Sequence, residues 1–467
     1  MDGLECSEKL MSEVIMENKV FRFDAEYFDK KCLFLLDKIK SGHYMRIENN
    51  FDVSKLAGFE YTEYFTSTSM NSEDSYIALT SKNIQQNRLS LNEYITIDKK
   101  VADKYLMRSK LKKGDVVLSY TGEYRRALVL FDEGFQLGPN VCRLTPTNNA
   151  IDSGFLSVFL NSKSGQKILD REKTLSAQPT VAMSRIRTIP VPIFSTLQKC
   201  ISRLVVKNHN LMIESNNRYQ EATTILKQVI KGEDYNTSNV SIKNVKDSLF
   251  TTGRFDAEFY QYKYELYEKS LNTCDTISSL CELYDKSFTP CETSEYRYIE
   301  LANVGVWGNI TDVETFSGNM LPSRARRIVK KGNVIISSVE GSLQKCALVT
   351  DEFDNAICST GFYVLESNFI NSETLLVLFK SKSIQALLKQ RCSGAILSGI
   401  TKDELLNMPF PKIAESLQEK IAEKVKESFA LRKYAEKLIE YAKKAIDIAV
   451  EQDEATAIKW LKEREVE

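Results

Sequence analysis

The sequence predicts a mixed α/β (α+β) protein built as two tandem copies of one unit, each a globular domain followed by a long helix. Three observations predict it. A set of short motifs recurs in the same order in the two halves of the 467-residue chain. Between the motifs lie short apolar or alternating runs of strand length. After the last motif of each half comes a stretch with apolar residues three and four apart, the pattern of a helix with one buried stripe.

The repeat carries the most weight, because self-similarity at one period defines an architecture. Arg22-Phe23-Asp24-Ala25-Glu26-Tyr27-Phe28 returns as Arg254-Phe255-Asp256-Ala257-Glu258-Phe259-Tyr260, an offset of 254 − 22 = 232. Tyr76-Ile77-Ala78-Leu79 answers to Tyr298-Ile299-Glu300-Leu301, offset 222. Lys112-Lys113-Gly114-Asp115-Val116-Val117-Leu118-Ser119 answers to Lys330-Lys331-Gly332-Asn333-Val334-Ile335-Ile336-Ser337, offset 218. Ile189-Pro190-Val191-Pro192 answers to Met408-Pro409-Phe410-Pro411, offset 219, and Leu197-Gln198 to Leu417-Gln418, offset 220. Five ordered matches with a small drift mean one frame with insertions and deletions in its loops. Most other residues differ between the halves, as expected of related modules with different targets.

Within a unit, Arg-Phe-Asp-Ala-Glu is expected to open a short helix, its acids suiting a helix N-terminus. Strands are expected at 76–79, 116–119, 127–131 and 140–144, with counterparts at 298–301, 334–337, 347–350 and 361–365. Gly114 and Gly332 would make the turn into a strand. Helical stretches follow at 154–169 and 372–389, and a Pro-x-Pro exit stiffens the way to the long helix. In the first long helix Leu197, Ile201, Leu204, Asn208, Leu211, Ser215, Arg218, Ala222, Ile225 and Val229 are spaced alternately four and three apart, a coiled-coil seam. Its counterpart runs Leu417, Ile421, Lys424, Ser428, Leu431, Ala435, Leu438, Ala442, Ala445, Ala449. The alanines admit a partner helix closely, so the two helices are expected to pack together, antiparallel. The expected division is 1–194 and 236–412 for the globular domains, 195–235 and 413–467 for the helices.

Composition bounds the function. Lys+Arg and Asp+Glu are both 63, a formal net charge of zero, so the chain is not a generally adhesive polycation. Local basic clusters, Arg125-Arg126 and Arg324-Ala325-Arg326-Arg327, still leave nucleic-acid binding open. No apolar run reaches the length of a membrane span. Met1-Asp2-Gly3-Leu4-Glu5 does not open a secretory signal, and the ten scattered cysteines include no C-x-x-C pair, so free thiols in a reducing cytoplasm are expected. The two histidines sit in no metal-ligand spacing, and phosphate-loop, nucleophile-elbow and dinucleotide-turn motifs are absent. So is the Asn/Asp-Pro-Pro-Tyr/Phe segment of amino-methyltransferases. The recurring acids Asp24, Glu26, Asp256 and Glu258 stand among aromatics without a histidine, which favours structure over acid–base chemistry. No catalytic or metal-binding residue is expected.

The paired Gly-(Asp/Asn)-Val-(Val/Ile) strands, Pro-x-Pro exits, Leu-Gln-led helices and Arg-Phe-Asp-Ala-Glu-(Tyr/Phe) openings resemble the specificity subunits of type I restriction-modification systems, over about residues 18–460. The resemblance implies two target-recognition domains, each reading one half of a bipartite site in double-stranded DNA, with the helices setting the unread spacer. It implies no cofactor on this chain. Two modification methyltransferase subunits would dock on it, carrying S-adenosylmethionine and methylating a flipped adenine, and a restriction/translocase subunit would join them. Base readout needs polar side chains on loops that reach a groove. The candidates are Lys82, Asn83, Tyr120, Thr121, Arg125, Arg126, Gln178 and Thr180 in the first copy. In the second they are Asn303, Trp307, Arg324, Arg326, Arg327, Gln344, Lys345 and Ser398. Leu197, Ile201, Leu204, Leu211, Leu417, Ile421, Leu431 and Leu438 are the helix-packing residues. Two other readings stay open: the reading subunit of a related type II or other methylation-based phage-defence system, and a protein-interaction scaffold, which would show no salt-dependent DNA affinity.

Overall fold

The computed structural model describes residues 10–17, 22, 24–91, 93–122, 125–174, 176–230, 235, 252–284, 288–311, 313–394 and 398–465. The chain divides into two compact units, Met1–Met212 with Lys433–Glu467, and Ile213–Arg432. Both cuts fall inside the long helices, Leu197–Lys227 and Glu415–Glu451.

The duplication read in the sequence is a duplication of sheet topology. In the first unit one sheet runs, in spatial order, Phe51–Lys55, Val141–Pro146, Val116–Ser119, Ala127–Val129, all antiparallel. In the second unit the order is Glu282–Leu283, Phe362–Glu366, Val334–Ser337, Cys346–Leu348, again antiparallel. A second sheet in each unit contains one parallel pair, Ser75–Leu79 with Phe135–Leu137 and Glu295–Ile299 with Ile357–Ser359. Ala325–Ile328 adds a fourth strand in the second unit. The first has only the bridge Lys110–Gln136 in its place. The Pro-x-Pro exit is itself a strand, Pro190–Pro192 paired with Tyr44–Arg46. A prolines-only-outside edge tolerates it, since proline cannot donate to an inner ladder.

The recurrent motifs are frame chemistry. Val116–Ser119 and Val334–Ser337 are buried at every residue, as central strands covered on both faces should be. Gly114 and Gly332 both take φ of 89°, a left-handed conformation open to glycine at no steric cost. The next residue closes the turn, Asp115 Oδ2 accepting from Lys112 N and Asn333 Oδ1 from Lys330 N, each at 2.8 Å. The Arg-Phe-Asp segment does not open a helix. It forms a turn over 25–28, and the helices start later, at Lys30–Ser41 behind the cap Asp29 and at Tyr262–Leu271. Arg22 instead forks onto Asp24 with two 2.7 Å bonds and donates to Arg171 O and Lys173 O at a helix C-terminus. Arg254 repeats this with Asp256 and Cys392 O. The expected helices at 154–169 and 372–389 are each split, into Ser153–Asn161 and Lys163–Glu172, and Ser372–Phe379 and Lys382–Arg391. Ser162 and Ser381 sit at the breaks and cap the second helix of each pair, a role serine fills better than a helix interior.

The Leu-Gln motif explains itself in the same way. Gln198 accepts from Asp152 N and donates to Ala150 O. Gln418 accepts from Asn371 N at 2.7 Å and donates to Phe369 O and Ile413 O. Each glutamine ties the start of a long helix to the loop that feeds its domain's helix pair.

The long helices run antiparallel within each unit. In the first, Asn208 Nδ2 donates to Ala435 O at 2.7 Å, and Glu454 Oε1 accepts from Thr196 N and Leu197 N. In the second, Ser215 Oγ donates to Ser428 O at 2.9 Å, and Arg218 pairs with Glu427. Of the packing residues, Leu197, Ile201, Leu204, Ile421 and Leu438 are buried, while Leu211, Leu417 and Leu431 are half-buried. Ala435, Ala442, Ala445 and Ala449 are buried too. Val229, placed in the seam by spacing, is exposed, because the helix ends at Lys227 and Ile230 takes the inward position. The second helix does not run on to the C-terminus: it stops at Glu451, and a separate helix, Glu454–Glu465, follows. Glu454 then lies where its carboxylate faces the positive end of the first long helix.

Removing these ties has predictable costs. Gln418→Ala strands buried backbone groups, and about 1–3 kcal/mol of stability should be lost in urea unfolding. Glu454→Ala removes a helix cap and should cost roughly 0.5–2 kcal/mol. A Gln418→Ala variant as stable as the parent would show that the loop does not depend on the glutamine.

Candidate nucleic-acid interface

In each unit one end of the sheets gathers loops from distant parts of the sequence. In the first, Gly138 N donates to Leu79 O, Tyr120 N to Asn140 O, and Val181 N to Tyr120 O. Thr121 and Thr180 bridge, with their hydroxyls 3.1 Å apart. A Cβ built on Gly122 would lie 3.9 Å from Ser81 Oγ and 4.0 Å from Gln178 Nε2. The segments at 80–82, 120–122 and 176–180 therefore share one surface. The second unit repeats the arrangement: Val339 bridges Gly399, Glu340 N donates to Ser398 O, Ser338 N to Gly361 O, and Thr360 N to Arg324 O.

The structure sorts the sequence candidates into those on this surface and those in the frame. Thr121, Arg125, Arg126, Gln178 and Thr180 stand on or beside the first unit's loop cluster, all at least partly exposed. Tyr120 is half-buried there under Lys55, whose Nζ lies 5.3 Å from the ring centre, and burial pushes its phenol pKa up. Lys82 is exposed and pairs with Glu93. In the second unit Arg324, Gln344 and Ser398 belong to the cluster, and Arg326 is exposed on the neighbouring edge strand. Glu123, Tyr124 and residues 395–397 lie outside the described residues.

Five candidates belong to the frame instead. Asn83 is fully buried, its Oδ1 accepting from Thr80 N and its Nδ2 donating to Ser90 O and Glu93 O. Asn303 is its repeat counterpart and holds Glu300 N in the same way. Both close the turn that follows a strand. Trp307 lies edge-on to Tyr219 of the first long helix, ring centres 5.1 Å apart, with the Arg432 guanidinium 5.9 Å from its ring. Its loop is the second unit's version of the small hairpin Ile84–Gln85/Arg88–Leu89, which in the first unit reaches the second long helix through Gln86 with Lys443 and Arg88 with Glu436. Arg327 donates to Phe362 O and lies over Tyr363. Lys345 Nζ donates to Val304 O at 2.8 Å. Lys112 and Lys330, the other cations singled out by the repeat, enter the central strands at the end opposite the loops.

The first unit's surface is also ringed by ion pairs that sequence reading missed. Arg185 and Arg171 both bind Glu172, at 2.6 and 2.7 Å, and Lys173 pairs with Glu26 at 3.0 Å. Lys173 and Glu26 come from opposite ends of the domain, so no local motif announces that pair. Among the described residues no group of His, Cys, Asp or Glu is arranged to hold a metal ion. No described helix is long and apolar enough to cross a membrane. The nine described cysteines are free, and burial pushes the Cys142 thiol up to about 12.

No family model and no curated protein matches the chain. Solved structures similar to it include the type I restriction-modification S subunit from M. genitalium, at 13% identity, 90% of this chain, 95% of that chain and a TM-score of 0.38. The HsdS subunit from Thermoanaerobacter tengcongensis is similar at 13% identity over 88% and 97% of the two chains, TM-score 0.28. The type IIG restriction endonuclease BpuSI is similar over 41% of this chain and 30% of its own, at 11% identity and a TM-score of 0.29.

The recurring acids behave as clamps. The Arg22 hydrogen bond holds Asp24 below its ordinary value of 3.8, and Arg254 does the same for Asp256. A carboxylate with a depressed folded pKa stabilises fully above its unfolded value and loses that contribution as pH falls through the folded one. Arg22→Ala should therefore melt below the parent at about pH 6, with the gap narrowing toward about pH 3. A gap unchanged across that range would mean that Arg22 acts through the backbone carbonyls alone.

Proposed function

We propose that this chain is the DNA sequence-specificity subunit of a type I restriction-modification complex. It reads a bipartite site, one half per recognition domain, and docks modification methyltransferase subunits. The observation that carries the proposal is the duplicated loop-bearing end: the same strands, turns and bridges in both units present different side chains. A constant frame with variable loops is what two readers of different sequences require. Polar side chains there, Gln178, Thr180, Arg126, Arg324 and Gln344, offer the donors and acceptors that base edges and phosphates bind. The sequence resemblance supplies the biological setting. In it the partner holds S-adenosylmethionine and methylates adenine at N6, and a restriction/translocase subunit joins the assembly. The chemistry belongs to those subunits, and this chain works in the cytoplasm as the reader.

The test is a methylome. The chain is expressed with its modification methyltransferase in a host free of adenine methylation, and modified bases are sequenced. The expected result is one split motif with N6-methyladenine on both strands. Exchanging residues 1–194 for those of a related reader should change one half of that motif and leave the other. An assembled complex that leaves the genome unmethylated would favour the scaffold reading.

A further inference from the structure

Among the described residues, five other than glycine have positive φ, and four of them are asparagines, which tolerate it. The fifth is Arg125, at φ 73°. A left-handed arginine is held there against a local cost, and such outliers gather at functional sites. Its backbone is fixed from both sides: Arg125 N donates to Ser119 O, and Gln166 Nε2 donates to Arg125 O at 2.6 Å. The conformation sends the guanidinium to Asp170 Oδ2 at 2.5 Å, with both side chains 37% exposed. An ion pair this open to water contributes little and exchanges readily.

The second unit has the same clamp without the arginine. Gln385 Nε2 donates to Leu343 O at 3.0 Å and to Phe379 O, as Gln166 does to Arg125 O and Leu160 O. Leu343 is buried, at φ −55°. Counted from the paired strands, Arg125 stands where the second unit has the exposed Gln344, and there the clamped carbonyl falls one residue earlier, on the buried Leu343. The clamp itself thus does not require an arginine, nor a left-handed residue, at this turn.

We propose that Arg125 is a DNA-contacting residue of the first recognition domain, held ready on Asp170 and transferred on binding to acceptor oxygens of the duplex. Asp170 Oδ2 holds the guanidinium at Nη1 until a phosphate or a guanine edge replaces it, since all three present acceptors to the same planar donors. Asp170 is a positioning residue: it keeps the fork extended and discounts binding to DNA that offers no replacement. This rests on the DNA-reading function proposed above.

The experiment compares the full chain in complex with its methyltransferase subunits as parent, Arg125→Ala, Arg125→Lys and Asp170→Asn. Sequences are selected from a random duplex pool, and affinity for the parent's motif and for a scrambled duplex is measured against salt. Arg125→Ala should weaken binding to the motif by about tenfold. If the acceptor is a guanine edge, one position of one half-site relaxes and Arg125→Lys does not restore it. If it is a phosphate, affinity falls for both duplexes, the salt slope drops by about one and Arg125→Lys largely restores binding. Asp170→Asn should raise affinity for the scrambled duplex several-fold. The proposal is overturned if the parent selects a split motif while Arg125→Ala keeps its motif, affinity and salt slope. DNA reading would then stand without Arg125. A parent that selects no motif at all overturns both.

Discussion

Each compact unit depends on a helix segment lent by the other repeat. The core of the first unit joins Leu35, Phe155, Val191 and Ile201 to Leu438, Ala442, Ala445 and Ile446 from the far end of the chain. The core of the second joins Leu375, Phe379 and Ile421 to Tyr219, Ala222 and Leu226 from the first repeat's helix. Neither repeat completes its main core with its own residues alone, and buried apolar area is the main term that opposes chain entropy. This dependence accounts for the placement of the capping carboxylates. Asp447 accepts from Ser164 N and Oγ, and Glu454 from Thr196 N and Leu197 N. Both acids belong to the C-terminal end of the chain, and both secure helices of the first repeat.

The helix pair is built differently in the two units. Where it serves the first, the second helix offers alanines at 435, 442, 445 and 449, all buried, which bring the backbones close and let bulky residues of the globular domain fill the remaining space. Where it serves the second, the seam holds a polar layer: Ser215 meets Ser428, and Arg432 donates to Ser215 Oγ and Asn216 Oδ1. A buried polar layer is satisfied in one register and left unpaired in its neighbours, so it opposes sliding at some expense of stability. Trp307 packs against this layer, which couples a loop of the second unit's sheets to the register of the helices.

The sequence disclosed the frame more faithfully than the surface. Val116–Ser119 and Val334–Ser337 were legible to the residue because continuous apolar runs between turn signals admit one reading. The helix seam was legible because its spacing repeats. Strands such as Phe51–Lys55 and Ile95–Asp98 carry mixed polarity and gave no comparable signal. The site candidates divided by a rule that is physical. Asn83 and Asn303 are polar residues after equivalent strands, but that equivalence is the mark of a turn every copy of the frame must close. Arg22 and Arg254 recur for the same reason. Repetition identifies what the fold requires, and residues that differ between the copies are the ones it leaves free.

That rule bears on the loop that holds Arg125 in one unit and Leu343-Gln344 in the other. Gln166 and Gln385 each hold a carbonyl of the equivalent loop, but the clamped residue has φ 73° in the first unit and −55° in the second. Constraint on the backbone leaves the side chain free to differ, provided the fold can accommodate the φ it adopts. Burying a leucine stabilises a core; extending an arginine from a left-handed residue does not, and its pairing with a half-exposed aspartate returns little in water. On the proposal made above, the stabilising return arises in a bound state in which water is excluded and the guanidinium meets a fixed anion or a base edge, where charge-assisted, bidentate bonds are strongest. A bound state of the proposed kind would give a use to a half-exposed, left-handed arginine whose ion pair contributes little in the free protein.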